Sequence, residues 1–190
     1  MKNDDVVITS ASRTAIGAFR GSLKGMQAHD LGALTTKAVM QKSNLNPNDV
    51  DELIMGQVLT GATGQNPARQ AAILAKMPVE KTAYVINQVC GSGLRSVAAG
   101  YQAIMCNDSK IIIAGGQESM TNAPHAIYFR DGEKLDETKL IDTMIKDGLW
   151  DAFNGYHMGV TAENVADKWQ ITRKDQDDFA LSSQIKTEKA

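Results

Sequence analysis

The stretch Tyr84-Val85-Ile86-Asn87-Gln88-Val89-Cys90-Gly91-Ser92-Gly93-Leu94-Arg95-Ser96 holds the residues best suited to chemistry. A β-branched run precedes Cys90 and a helical pattern follows it, so the thiol falls at a strand-to-helix junction. The glycines permit a sharp turn and let backbone or ligand approach closely. A helix N-terminus adds unpaired N–H groups and the positive end of the helix dipole, which favour a thiolate over a thiol. The same amides can stabilise the oxyanion formed when a thioester carbonyl is attacked. The arrangement is the cysteine counterpart of a serine nucleophile elbow, and its chemistry is acyl transfer through a covalent thioester.

Two blander readings compete with that one. A lone cysteine is usually a small buried hydrophobe. Cys106 fits this description, lying near a helix end before Asn107-Asp108 with no glycine-rich turn. The second is a dinucleotide fingerprint, since Gly91-x-Gly93-x-x-Ser96 nearly matches G-x-G-x-x-G/A. The third glycine is absent and no acidic residue ends the next strand, so that reading is rejected. Of the three histidines, His29 and His125 look like loop or capping positions. Arg13 and Arg69 could reach phosphates, but surface arginines are common and neither is assigned a role.

The elements that must position Cys90 alternate along the chain. Residues 6–10 read as a strand, 11–27 as a loop, and 31–42 as a helix capped by Asp30 with Leu31, Leu34, Ala38 and Leu45 on one face. A strand is expected over 52–59. Asn66 as N-cap and Pro67 as first helical residue open a helix over 68–76. A strand over 82–87, a helix over 91–105 and a strand over 110–114 follow. This order implies crossovers and a covered, largely parallel sheet. After Gly116 the texture changes: helices are expected over 135–150 and 161–169, the latter with Thr161 and Asn164 available for capping. A last helix starts at a Thr172/Asp175 capping box. It runs to Ala190 with no stop signal, as a fragment or a frayed terminus would.

Composition narrows the class. The chain has 190 residues, 43% hydrophobic and 22% charged, which is the profile of one ordinary globular domain. Twenty Lys and Arg against 22 Asp and Glu give a net charge of −2, with no basic excess for nucleic acid or an acidic membrane. Two cysteines exclude a disulfide scaffold. No apolar run approaches the roughly 20 residues of a membrane helix, and no targeting segment is visible. A cytoplasmic protein is expected.

Several motifs together resemble the thiolase family. They are Asn87-Gln88-Val89-Cys90-Gly91-Ser92-Gly93, Ala114-Gly115-Gly116-Gln117-Glu118-Ser119-Met120, Ser12-Arg13-Thr14-Ala15-Ile16-Gly17 and Gly64-Gln65-Asn66-Pro67-Ala68-Arg69-Gln70. Residues 141–150 and His157-Met158-Gly159-Val160-Thr161-Ala162-Glu163-Asn164 resemble its biosynthetic branch. The resemblance implies Claisen condensation of two acetyl-CoA to acetoacetyl-CoA, and the reverse thiolysis. It implies a thiolase-like α/β fold, here the N-terminal βαβαβαβ half, with residues 1–118 as a core lacking its last strand and 119–190 as the first part of an inserted loop domain. Cys90 then matches the acyl-accepting nucleophile and its N–H an oxyanion donor. His157 and Met158 match positions at the CoA-thioester end of the pocket, although a histidine before a helix is more often a cap. Coenzyme A serves as substrate carrier, with no further cofactor and no metal. Residues 125–137 resemble a tetramer-forming loop, against the alternative of a solvated surface loop.

Two family motifs are absent from these residues. His29, His125 and His157 are followed by Asp, Ala and Met, so none supplies the Gly-His-Pro base. Cys106 is followed by Asn-Asp and does not match the second, Cys-x-Gly cysteine. The expectation is a thiolase N-terminal half, inactive alone, whose missing groups come from a C-terminal half on the same or another chain. A non-catalytic acyl-CoA-binding or assembly subunit, a longer-chain 3-ketoacyl-CoA thiolase and a decarboxylating condensing enzyme are the alternatives.

Overall fold

A computed structural model of the chain describes residues 5–130 and 140–190. They form two compact units, Met1–Gly148 and Leu149–Ala190.

The first unit is built on three parallel strands, β1 (Glu52–Gly56), β2 (Thr82–Ile86) and β3 (Ile112–Gly116), in the order β2-β1-β3. The register sets Gly56, Ile86 and Gly116 side by side, so the three following loops leave the sheet at one level. That carboxyl edge is where open α/β sheets carry their ligand sites. Central β1 is covered on both faces, which is why Leu53, Ile54 and Met55 form an unbroken apolar run. Leu53 and Met55 face a core shared with α1 (Ala28–Lys42) and α2 (Pro67–Leu74), among them Ala33, Met40, Ala68, Ala71 and Ala72. Gly56, of opposite parity, faces α3 (Ser92–Met105).

The α/β class and the parallel sheet are as the sequence reads, but among the described residues the sheet has three strands, not four. Residues 6–10 form no strand, and Val7 and Ile8 lie exposed. A β-branched run gains from β structure only when a neighbouring strand offers a ladder and a surface to pack on. Here these residues make no backbone hydrogen bond to β3.

Helix α1 begins at Ala28, not Leu31, and Asp30 lies in its first turn. The Asp30 carboxylate accepts from the Gln27 N–H at 3.0 Å, capping the helix from inside. The buried face carries Ala28, Gly32, Ala33, Thr36 and Met40, while Leu34 is exposed. The small residues win because they let the helix sit close. A Cβ on Gly32 would lie 1.8 Å from Gln117 Oε1. Helix α2 starts as read, with Asn66 Oδ1 accepting from the Arg69 N–H at 3.1 Å and Pro67 as first residue.

Beyond β3, a 3₁₀ turn over Met120–Asn122 is tied back by Asn122 Nδ2, which donates to the Met26 carbonyl at 2.8 Å. Strands β4 (His125–Ala126) and β5 (Ile141–Asp142) pair antiparallel. The helix expected over 135–150 is therefore corrected over its described part, where β5 gives way to a π-helical stretch, Met144–Leu149. Residues 135–139 lie outside the described residues. Asp142 Oδ1 accepts from the N–H groups of Met144 and Ile145 at 2.9 and 3.3 Å. Such local side-chain bonds compete with a regular helix.

In the second unit, α4 (Met158–Trp169) starts three residues before the expected 161, so Thr161 and Asn164 do not cap it. Helix α5 (Arg173–Lys189) opens on the expected capping box. Thr172 N–H donates to Asp175 Oδ2 at 3.0 Å, and Asp175 N–H donates to Thr172 Oγ1 at 3.2 Å. Among the described residues no helix is long and apolar enough to cross a membrane.

Candidate active site

Cys90 lies between the end of β2 and the start of α3, exposed at the carboxyl edge of the sheet. The turn that presents it is built from its neighbours. Val89 adopts a left-handed backbone with φ +47°. That conformation is a genuine outlier for a β-branched residue and marks stored strain. Asn87 Oδ1 holds it, accepting from the Val89 N–H at 2.9 Å. The buried Ser92 hydroxyl accepts from the Gln88 N–H at 2.8 Å and donates to the Val89 carbonyl at 2.6 Å. Among the described residues the Cys90 N–H has no protein acceptor.

Glycine brings the turn onto the sheet. A Cβ on Gly56 would lie 2.3 Å from the Ser92 carbonyl carbon and 2.5 Å from the Gly93 nitrogen. A Cβ on Gly116 would lie 3.3 Å from the Gly93 Cα. The first turn of α3 therefore rests on backbone, with no side chain between. Ser96 Oγ fastens the next turn, donating to the Gly115 carbonyl at 2.7 Å. The glycines that imitate a dinucleotide fingerprint thus serve helix-to-sheet packing.

The loops after β1 and β3 are joined by polar side chains, of which Gln117 and Glu118 stand in a quoted motif without an expected role. Gln117 Nε2 donates to Gln57 Oε1 at 2.8 Å, both side chains being buried. Glu118 accepts from the Val58 N–H at 2.8 Å through Oε2 and from the Leu59 N–H at 3.3 Å through Oε1. Burial pushes the Glu118 carboxyl above its ordinary range, against the lowering effect of those two amides. The available signal was a pair of polar residues, Gln117-Glu118, directly after a buried strand.

The other expected site residues are placed as follows. His157 is the N-cap of α4, and its Nδ1 accepts from the Gly159 N–H at 3.0 Å. Met158 is the first residue of α4 and partly buried. Both belong to the second unit. Cys106 is corrected in one respect: it caps the far end of α3, but it is exposed and not buried. His29 lies in the first turn of α1, and His125 in β4 stands 3.9 Å from Asp142. Arg69 is no free surface arginine, since its guanidinium donates to the Val79 and Lys81 carbonyls. Among the described residues no group of three or more His, Cys, Asp or Glu could hold a metal ion.

Residues 6–190 match the family model described as thiolase, N-terminal domain. The chain is 58% identical over 184 residues to an acetyl-CoA acetyltransferase of Paracoccus denitrificans, covering 97% of this chain and 47% of that protein. It is 58% identical to one of Rhizobium meliloti and 54% identical to one of Shinella zoogloeoides, each match covering 100% of this chain and 48% of the relative. The chain spans about half the length of the curated relatives it matches.

Proposed function

The chain belongs to the thiolase family, and we propose that it carries the acyl-accepting half of an acetyl-CoA C-acetyltransferase. The observation that supports this best is the exposed Cys90 on its strained turn at the amino end of α3. In the proposed reaction the Cys90 thiolate attacks the carbonyl carbon of acetyl-CoA, and the carbonyl oxygen becomes an oxyanion that the Cys90 N–H stabilises. Collapse breaks the bond to the CoA sulfur and leaves an acetyl thioester on Cys90. CoA leaves as a thiolate and takes up a proton. The carbanion formed by deprotonating a second acetyl-CoA at its methyl group then attacks that thioester. Acetoacetyl-CoA forms and the Cys90 thiolate is released; thiolysis runs the same steps backwards.

The base for Cys90 and the acid/base for the second step are assigned to a thiolase C-terminal half, because His29, His125, His157 and Cys106 lie outside the motifs that would supply them. His157 and Met158 are assigned to the CoA end of the pocket. Coenzyme A acts as carrier with no further cofactor, and a cytoplasmic homotetramer completes the reading. Residues 1–118 serve as the core and 119–190 as the first part of the loop domain.

Labelled acetyl-CoA, added to the chain together with a C-terminal half and followed by peptide mass mapping, tests the assignment. Label is expected on Cys90 and lost in Cys90→Ser. Label elsewhere, or undiminished label in that variant, overturns it.

A further inference from the structure

We propose that Glu118 is a positioning residue for Cys90, acting through the backbone of Val58 and the side chain of Asn87. The inference rests on the reading of Cys90 as acyl acceptor. Glu118 Oε2 accepts from the Val58 N–H at 2.8 Å. The carbonyl of the same Val58 accepts a long hydrogen bond, 3.5 Å, from Asn87 Nδ2. The other end of that amide, Oδ1, accepts from the Val89 N–H at 2.9 Å. A continuous path thus runs from the β3 loop through the β1 loop to the left-handed residue directly before the thiol. Val89 has little reason of its own to hold φ +47°, so its geometry depends on what grips it, Asn87 at its amide and Ser92 at its carbonyl. Asn87 is exposed, and its orientation depends in turn on where the Val58 carbonyl points. Glu118 fixes that direction, because the Leu59 N–H it accepts shares a peptide plane with the Val58 carbonyl, while the Val58 N–H it also accepts anchors the peptide before it.

Cys90 and Cys106 are both exposed, so iodoacetamide reads them in one sample of the 190-residue chain, with Cys106 as reference. Glu118→Ala is expected to slow Cys90 alkylation three- to tenfold and to leave Cys106 unchanged. Loosening cannot speed an already exposed thiol through access, and removing a negative charge from the fold does not disfavour a thiolate. Slowing therefore reports position. Glu118→Gln keeps an acceptor oxygen and is expected to stay within twofold of the parent or faster. Asn87→Ser breaks the link to Val58 and should slow Cys90 as well. The double variant Glu118→Ala/Asn87→Ser should be no slower than the slower single, because both cut one path. An unchanged Cys90 rate in Glu118→Ala, equal slowing of both cysteines, or multiplying effects in the double variant overturns the proposal. Should Glu118→Ala fail to fold, Glu118→Asp decides by the same ratio: it keeps the charge but withdraws the oxygens, so slowing supports the path and parity overturns it. Absence of acetyl label on the parent Cys90 with a C-terminal half present would sink the acyl-acceptor reading instead, without touching the alkylation ratio.

Discussion

Cys90 and Cys106 bracket one helix: α3 runs Ser92–Met105, so the first thiol precedes its amino end and the second caps its carboxyl end. Helix ends differ in sign, favouring an anion at the N-terminus and disfavouring one at the C-terminus. With exposure common to both, alkylation near neutral pH should run several-fold faster at Cys90. Equal rates, read by peptide mass at partial modification, would show that the position on the helix confers nothing.

Val89 gives a stability test of the turn. A non-glycine residue at positive φ costs on the order of 1–3 kcal/mol, while glycine costs about 0.5–1 kcal/mol in chain entropy. Val89 is 51% exposed, so truncation forfeits little burial. Val89→Gly should raise stability by up to about 1 kcal/mol in urea unfolding, and Val89→Ala should not, since alanine shares the steric penalty. A clear loss in the glycine variant would mean that the turn is unstrained.

Two carboxylates should tilt the pH dependence of stability in opposite directions. Burial raises Glu118, so the folded protein holds that proton more tightly than the unfolded chain. Its contribution is full below the ordinary glutamate range and lost as pH rises through the raised value. Glu118→Gln should therefore gain on the parent in thermal unfolding as pH climbs from about 4 toward 7. Asp51 is lowered by the N–H groups of Ile111 and Lys110, which its carboxylate accepts at 3.0 and 2.7 Å. Its contribution is present above the ordinary aspartate range and lost as pH falls through the lowered value. Asp51→Asn should trail the parent near neutrality and draw level in acid. Parallel pH curves for either variant and the parent would refute the corresponding shift.

His157→Ala removes the N-cap of α4, a loss of about 1 kcal/mol of helix stability. In the chain supplied with a C-terminal half, KM for CoA thioesters should rise several-fold while Cys90 still acquires label. Complete loss of acylation with helicity intact would reassign His157 to the chemistry.

Features made by a few adjacent residues were legible in the sequence. Asn66-Pro67 and Thr172/Asp175 start their helices as read, because side chain, amide and φ preference all lie within three residues. The junction at Cys90 was legible for the same reason. The run 6–10 failed because a strand needs a partner that its own residues cannot supply. The helix expected to end at Trp150 lost its described start to pairing with His125–Ala126 and to the Asp142 cap. Glu118 and Val58 lie 60 residues apart in sequence and meet only because β1 and β3 are neighbours in register. No local pattern carries that contact. Nor does residue type announce a valine at positive φ, since only the closed network around it fixes the angle.

The contact of α3 with the sheet also sets how freely this region can vary. At Gly56 any side chain meets immovable backbone at 2.3 Å, whereas at Gly116 the nearest atom stands at 3.3 Å and at Gly93 at 3.8 Å. A saturation library scored for folded protein should thus accept nothing but glycine at 56, little beyond alanine at 116, and small residues at 93. The least replaceable position near the thiol is one without a functional group, and drift in the surrounding loops can retune chemistry while that fulcrum keeps Cys90 in place.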